Sequence, residues 1–368
     1  MAFGDNAGGY DAKRADMPRI SGAEELKAYL GRVVGADARL EAAAATLGEI
    51  AAASVKMSDL IGLGRLYGHL GDSRGSTNSD GDVQKELDVL ADEMFVEALR
   101  RAPVYGVVSE ELKEALLLNP NAPIVVSMDP LDGSSNIDAN VSIGTIFSLL
   151  PTLPEARSLE AHFLQKGRAQ IAAGFVIYGP QTSMVFAIGA SPVEIFTLDR
   201  NDGQFYHAAT VGPIPKESSE YAVNSSNYRH WEPSIRAFIE DCARGLDGPM
   251  KRNYNMRWVA SLVAEAYRIL LRGGIFLYPG DQRPGYSDGR LRLLYEGAPV
   301  AFLIERAGGV ATDGLSPLLD IEPTAIHQRA PLVFGSADPV RLVARYRSDP
   351  KVSAERAPLF GGRGLMRD

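Results

Sequence analysis

A single cysteine, Cys242, in a chain of 368 residues leaves no partner for an intrachain disulfide and excludes any multi-cysteine zinc or iron–sulfur site. Long apolar runs are also missing; the longest, such as residues 143–150, fall far short of the ~20 residues that cross a bilayer. The opening residues, MAFGDNAGGYDAKRADM, lack the apolar core of a secretory signal, so a reducing, cytoplasmic setting is expected. Positive charge is short: 38 Lys and Arg stand against 46 Asp and Glu, a formal net charge of −8. That balance makes the chain a poor candidate for general nucleic-acid binding, which needs a basic footprint. The histidines (His69, His162, His207, His230, His327) show no metal-ligand spacing, and no GxxxxGK phosphate loop occurs.

What is present suits a packed protein, with 45% hydrophobic and 23% charged residues. At ~150 residues per domain, the length fits two domains or one large one. No internal repeat occurs. Residues 1–35 are expected to form a flexible extension, its first 19 rich in Gly, Asp and Ala, and a tail is set off at 351–368. Leu40, Ala44, Leu47, Ala51 and Val55 mark one face of a helix over 40–57. A glycine-rich polar loop is expected at 68–78, then a helix over 82–100. Its buried stripe would be Val83, Leu87, Leu90, Met94 and Ala98, with Asp82, Glu86, Asp88, Asp92 and Glu93 on the opposite face. Strand-like runs follow at 104–109, 124–128, 142–150, 173–178, 183–188, 193–198 and 204–207, separated by turn signals such as Gly179-Pro180. The stretch VGPIPKESS at 211–219 reads as a linker. Beyond it, helix-like (233–244, 259–272) and strand-like (275–278) patterns alternate. The expected organisation is a metal- and phosphate-binding domain over 36–212, built on a meandering sheet, and an α/β domain over 213–350.

The most informative stretch is DPLDGSSNID at 129–138. It follows an apolar strand, so Asp129 and Asp132 should stand at the strand's carboxyl end, where α/β sheets bind ligands. Two carboxylates three residues apart, with proline fixing the turn, can converge on a hard cation such as Mg²⁺, and the Leu131 carbonyl could join them. Gly133, Ser134 and Ser135 then offer backbone N–H groups and hydroxyls suited to phosphate. A lone D-x-x-D is more often a polar turn; the whole run carries the metal–phosphate reading. Glu110 and Glu111 also end a strand. Such a pair is usually solvated surface, and it gains weight from Asp82 and Asp88 upstream. Those two lie about 600° of helix rotation apart, so Asp82 would have to act from the N-cap. Arg290 and Arg292, two apart on a strand, would share a face and clamp a phosphate. Glu296, one helical turn on, could close a metal cage or simply pair with Arg292. Gly71-x-Ser73-x-Gly75 fits a hydrolase nucleophile turn, but no buried strand precedes it and that reading is set aside.

Together with other segments, the run at 129–138 resembles class I fructose-1,6-bisphosphatase. The segments are Asn78-x-x-Gly-Asp82-x-x-Lys85-x-Leu-Asp88, Ser109-Glu-Glu111, GGIFLYP at 273–279, LRLLYE at 291–296 and IHQRAP at 326–331, in the family's order over roughly residues 40–342. The resemblance implies an α/β (α+β) fold layered α-β-α-β-α, and a homotetramer with neither nucleic acid nor membrane as partner. It implies Mg²⁺-dependent hydrolysis of the 1-phosphate of fructose 1,6-bisphosphate, in gluconeogenesis or the Calvin cycle, with two or more ions per subunit and Mn²⁺ or Zn²⁺ as possible substitutes. Carried over by position, it implies metal ligation by Glu110, Asp129, the Leu131 carbonyl, Asp132 and Glu296. Asp82, Asp88 and Glu111 become the catalytic acids; Asp132, Gly133, Ser134 and Ser135 take the 1-phosphate. The sugar and 6-phosphate fall to Asn224, Trp258, Leu262, Tyr278, Arg290 and Arg292, with Arg257 reaching in from a neighbouring subunit. A sedoheptulose 1,7-bisphosphatase, a dual-specificity enzyme, and a non-catalytic sugar-phosphate sensor are the alternatives.

Two positions depart from the family pattern: Trp258 stands where tyrosine is usual, losing a phenolic hydroxyl, and Arg290 where lysine is usual, gaining a bidentate fork. Many family members bind AMP at a Thr-Gly-Glu-like turn opening the first long helix, completed by a Lys-Tyr pair. Here that turn falls near 37–41, where Asp37 and Glu41 replace the hydroxyls, and the pair becomes Pro123-Ile124. Weak or absent AMP inhibition is therefore expected, and a lone cysteine gives no thiol–disulfide switch.

Overall fold

The computed structural model describes residues 22–66, 73–77 and 83–349. The expectations for residues 1–21, for the tail and for Asp82 lie outside the described residues; the rest of the expected flexible extension, residues 22–35, instead holds a helix whose Leu26, Tyr29 and Leu30 are buried in the core. Helices are α1 (Leu26–Val33), α2 (Ala38–Leu63), α3 (Glu86–Leu99), α4 (Pro233–Ala243), α5 (Leu262–Arg272), α6 (Ala298–Arg306) and α7 (Ala337–Ser348).

The larger sheet has eight strands, in spatial order Gln204–Thr210, Glu194–Asp199, Thr182–Ile188, Ala172–Tyr178, Ile143–Pro151, Ile124–Asp132, Val104–Ser109 and Leu116–Leu117. Its pairings are antiparallel except that of Val104–Ser109 with Ile124–Asp132, so most of it meanders as the turn signals imply. The second sheet orders Asn255–Met256, Glu220–Val223, Ile275–Tyr278, Leu332–Gly335 and Val310–Thr312, its first three strands parallel.

Successive side chains of a strand face opposite ways, and here both ways are core. On strand Ala172–Tyr178, Ala172 and Val176 join a cluster with Leu47, Ile50 and Met57 of α2 and Phe95 of α3, while Ala173 and Phe175 join Val263 and Ile269 of α5 and Ile304 of α6. That second cluster also takes Phe276 and Phe334 from the smaller sheet. Ile275, Leu277 and Val333 leave its other face to pack on Phe238 of α4 and Val343 of α7. The layers thus run α-β-α-β-α. Among the described residues no helix is long and apolar enough to cross a membrane.

Two further expectations are corrected. The helix expected from residue 82 begins at Glu86, because Val83–Lys85 is a strand paired with Ser73–Thr77 inside the expected loop. The Asp80-Gly81 dipeptide between them is a hairpin signal that the helical periodicity masked. The buried face of α3 also differs: Asp88 and Asp92 are buried beside Leu87, Ala91 and Phe95, whereas Leu90 and Met94 are only half-buried.

Candidate active site

Strand Ile124–Asp132 is buried along its whole length and delivers two carboxylates at its end. Its register against Ile143–Pro151 shifts between Asp129 and Asp132, where Pro130 has no N–H to give the ladder. The Leu131 N–H turns back to Asp129 Oδ1 at 2.9 Å, and the Thr145 hydroxyl donates to the Pro130 carbonyl at 2.9 Å. Glu296 arrives from the other half of the chain on a π-helical turn, Leu293–Gly297, between strand Leu291–Arg292 and α6. The Arg292 N–H donates to Glu296 Oε2 at 2.6 Å and fixes the carboxylate. Oxygens of Asp129, Asp132 and Glu296, all buried, lie within 4.8 Å of one another.

Crowding has an electrostatic consequence. Burial, and then the charges of Glu110, Asp132 and Glu296, hold the Asp129 carboxyl well above the usual range. Burial and the Glu110 charge do the same to Glu296. Asp132 is pushed up to about 6 by burial, against hydrogen bonds from the Val263 N–H (3.0 Å) and the Ser261 hydroxyl (3.4 Å). Both donors belong to the start of α5, where Ser261 is the N-cap, so a positive helix end faces this carboxylate. Packed bare, these anions repel; an all-oxygen set of this density fits a hard divalent cation.

Around this trio, Glu110 is held by its N–H on the Met128 carbonyl (3.1 Å) and by an ion pair with Arg292 Nη2 (3.2 Å). Glu111 is half-buried, its N–H donating to Ser109 Oγ at 3.3 Å. Asp88 is buried in the first turn of α3. Gly133 follows Asp132 at φ +76°, the left-handed turn that lets Ser134–Ala139 fold back as a short 3₁₀ helix with Ser134 half-buried and Ser135 exposed.

Of the residues expected on the sugar side, Asn224 and Tyr278 stand at the ends of two parallel strands. Asn224 caps the turn after Glu220–Val223, its Oδ1 accepting from Ser226, and Tyr278 ends Ile275–Tyr278. Trp258 stacks on Phe276 (5.9 Å between centroids) and lies 6.3 Å from Tyr278. Burial raises the Tyr278 phenol, the Arg290 charge draws it down and the Glu296 charge raises it. Leu262 opens α5, buried, and Arg257 is exposed with its Nε 3.4 Å from Glu220 of its own chain. The two arginines do not form a pair: Arg290 is exposed over the Tyr286 ring, while Arg292 is only 2% exposed and turned to Glu110. Strand Leu291–Arg292 is too short to keep both on one face, and the Glu110 and Glu296 carboxylates draw Arg292 inward. The bond from residue 292 to Glu296 is likewise made by backbone, not by the guanidinium.

Sequence reasoning missed Ser261 and Val263, which hold Asp132, and Asp92, which accepts the Ser109 hydroxyl at 2.5 Å. A serine just before the amphipathic run 262–272 was a readable N-cap signal. Nothing local marked Asp92.

Two helix-flanked sheets meeting over buried acids beside a glycine–serine turn place the chain among the layered phosphatases of sugar phosphates. Residues 44–210 match the family model described as fructose-1,6-bisphosphatase, N-terminal domain, and residues 214–348 match its C-terminal domain. A class 1 fructose-1,6-bisphosphatase of Rhodopseudomonas palustris (strain BisB18) is 52% identical over 342 residues, 93% of this chain and 98% of that protein. One from Nitrobacter hamburgensis is 53% identical over 319 residues, 86% and 91% of the two chains. The crystal structure of Leishmania major fructose-1,6-bisphosphatase in holo form superposes with a TM-score of 0.81 at 33% identity, covering 88% of this chain and 99% of that one. The chain belongs to the class 1 fructose-1,6-bisphosphatase family, enzymes that act on a sugar bisphosphate.

Proposed function

We propose that the chain hydrolyses the 1-phosphate of fructose 1,6-bisphosphate in a Mg²⁺-dependent reaction, with the division of labour that the site suggests. The observation that carries this is the buried trio of Asp129, Asp132 and Glu296. These three, with Glu110 and the Leu131 carbonyl, would hold the ions, which when bound neutralise the phosphoryl oxygens and the leaving alkoxide. Gly133, Ser134 and Ser135 receive the 1-phosphate through N–H and hydroxyl donors. Glu111 and Asp88, with Asp82, take the proton from the attacking water, and the water oxygen enters as the sugar oxygen leaves. Asn224, Trp258, Leu262, Tyr278 and Arg290 bind the sugar and 6-phosphate, with Arg257 completing the site of a neighbour in a homotetramer. Arg292 acts on Glu110 instead of on phosphate, as its ion pair supports. The division into domains at 36–212 and 213–350 is supported by strand pairing, since neither sheet borrows a strand across it. A cytoplasmic gluconeogenic or carbon-fixing role completes the reading.

Phosphate release from fructose 1,6-bisphosphate and sedoheptulose 1,7-bisphosphate, each with and without Mg²⁺, is the test. Mg²⁺-dependent release from the first supports the proposal. Faster release from the second moves the chain to the sedoheptulose activity, and release from neither makes it a sensor.

A further inference from the structure

Asp92 is a buried carboxylate that none of the roles above employs. It lies one turn beyond Asp88 on α3, on the same inward face, and is 8% exposed. Ser109, fully buried at the end of its strand, donates its hydroxyl to Asp92 Oδ1 at 2.5 Å. The Ser109 hydroxyl oxygen in turn accepts the Glu111 N–H at 3.3 Å. A hydroxyl has one proton, so giving it to Asp92 leaves its lone pairs facing Glu111. Glu110 needs no such help, since its N–H is already in the sheet ladder on the Met128 carbonyl. Glu111 is the first residue beyond the ladder, and the relay ties its backbone to the helix that carries Asp88.

We propose that Asp92 is a positioning residue: through the Ser109 hydroxyl it fixes the Glu111 backbone against α3 and so sets Glu111 relative to Asp88. The inference rests on the reading of Glu111 as a participant in water activation. Burial holds the Asp92 carboxyl above its ordinary value, and the Ser109 hydroxyl pulls it partway back. Asn at this place retains an acceptor oxygen; Ala does not.

The experiment is a double-mutant cycle on the full chain with D92A, S109A, D92N and E111Q, followed by kcat, KM and amide hydrogen exchange of the metal-free protein. D92A and S109A should each lower kcat about 10- to 100-fold with KM within about threefold, the usual cost of losing a partner behind a catalytic group. D92N should recover most of that loss. In the E111Q background D92A should add less than about threefold, because it acts through the residue already disabled. Exchange should quicken at 109–112 and not along α3. If E111Q itself keeps near wild-type kcat, the reading of Glu111 fails. If E111Q collapses while D92A and S109A stay within about twofold of wild type, or their losses multiply with that of E111Q, the positioning role fails. Should D92A not fold, S109A and D92N decide by the same criteria.

Discussion

At the scale of single residues, the site is a problem in charge, and its variants divide by which charge they remove. Asp129→Ala takes away one wall of the proposed cation seat and one member of a repelling cluster. Turnover should fall by about 10³-fold, the rate equivalent of about 4 kcal/mol, while the metal-free protein keeps or gains thermal stability because repulsion is relieved. Arg290 is exposed over the Tyr286 ring, and its charge reaches the Tyr278 phenol. Arg290→Ala should raise KM about tenfold with kcat within a few-fold, the signature of a remote phosphate contact. Collapse of kcat at constant KM would place it in the reaction centre. Asp132 gives a pH signature. Its folded pKa, about 6, lies above the ordinary carboxylate value, so the native metal-free protein binds a proton that the unfolded chain releases. The stability this contributes is present below about pH 4 and lost as pH rises through about 6. Melting of the metal-free enzyme should therefore shift upward on acidification from about pH 7 to 5, and Mg²⁺ should stabilise more at about pH 7.5 than at 5, where protons compete for the same oxygens. A flat response in both series removes the cluster as the cation seat.

At the scale of elements, the site depends on one close approach. Asp132 pairs across the ladder with Gly144, and a Cβ there would stand 2.5 Å from the Val176 carbonyl and from the Val263 side chain. Glycine lets the start of α5 lie against the sheet, bringing the Val263 N–H to Asp132. Gly144→Ala should cost about 1–3 kcal/mol by overpacking and should weaken Mg²⁺ activation as well, which a melt and a metal titration would show together. This explains what was legible in the sequence. The run at 129–138 was readable because strand, turn and ligands are contiguous, and the edges of the meander because Gly, Pro and Asn punctuate it. The burial of Asp88 and Asp92 was not, because a helix inside a layered sandwich can bury an acid wherever a partner such as Ser109 waits, and that partner is 17 residues away in sequence. The split between Arg290 and Arg292 was likewise invisible, since period-two alternation presumes a longer strand than Leu291–Arg292 provides.

At the scale of the whole molecule, regulation follows from what the helix ends already hold. Asp37 caps α2, its own carboxylate accepting from the Arg39 N–H (2.8 Å) and Leu40 N–H (3.4 Å), with Glu41 in the first turn. Donors that would greet an anion there are taken, and two carboxylates stand beside them. AMP should inhibit weakly or not at all, and half-inhibition at low micromolar AMP that mutations near Asp37 relieve would overturn this. Cys242 is buried, its thiol pushed up to about 12 by that burial, so thiol reagents and reductants should leave activity untouched. The π-helical turn at Leu293–Gly297 has a further consequence, for the history the chain can have. Such a turn holds one residue more than an α-helix needs, the mark of a single insertion. Deleting Leu293, Leu294 or Tyr295 would restore α-helical spacing and swing Glu296 by about 100° relative to the strand before it. The length of the segment is therefore held as firmly as Glu296 itself, and lineages descending from this sequence must carry the extra residue for as long as they keep the chemistry.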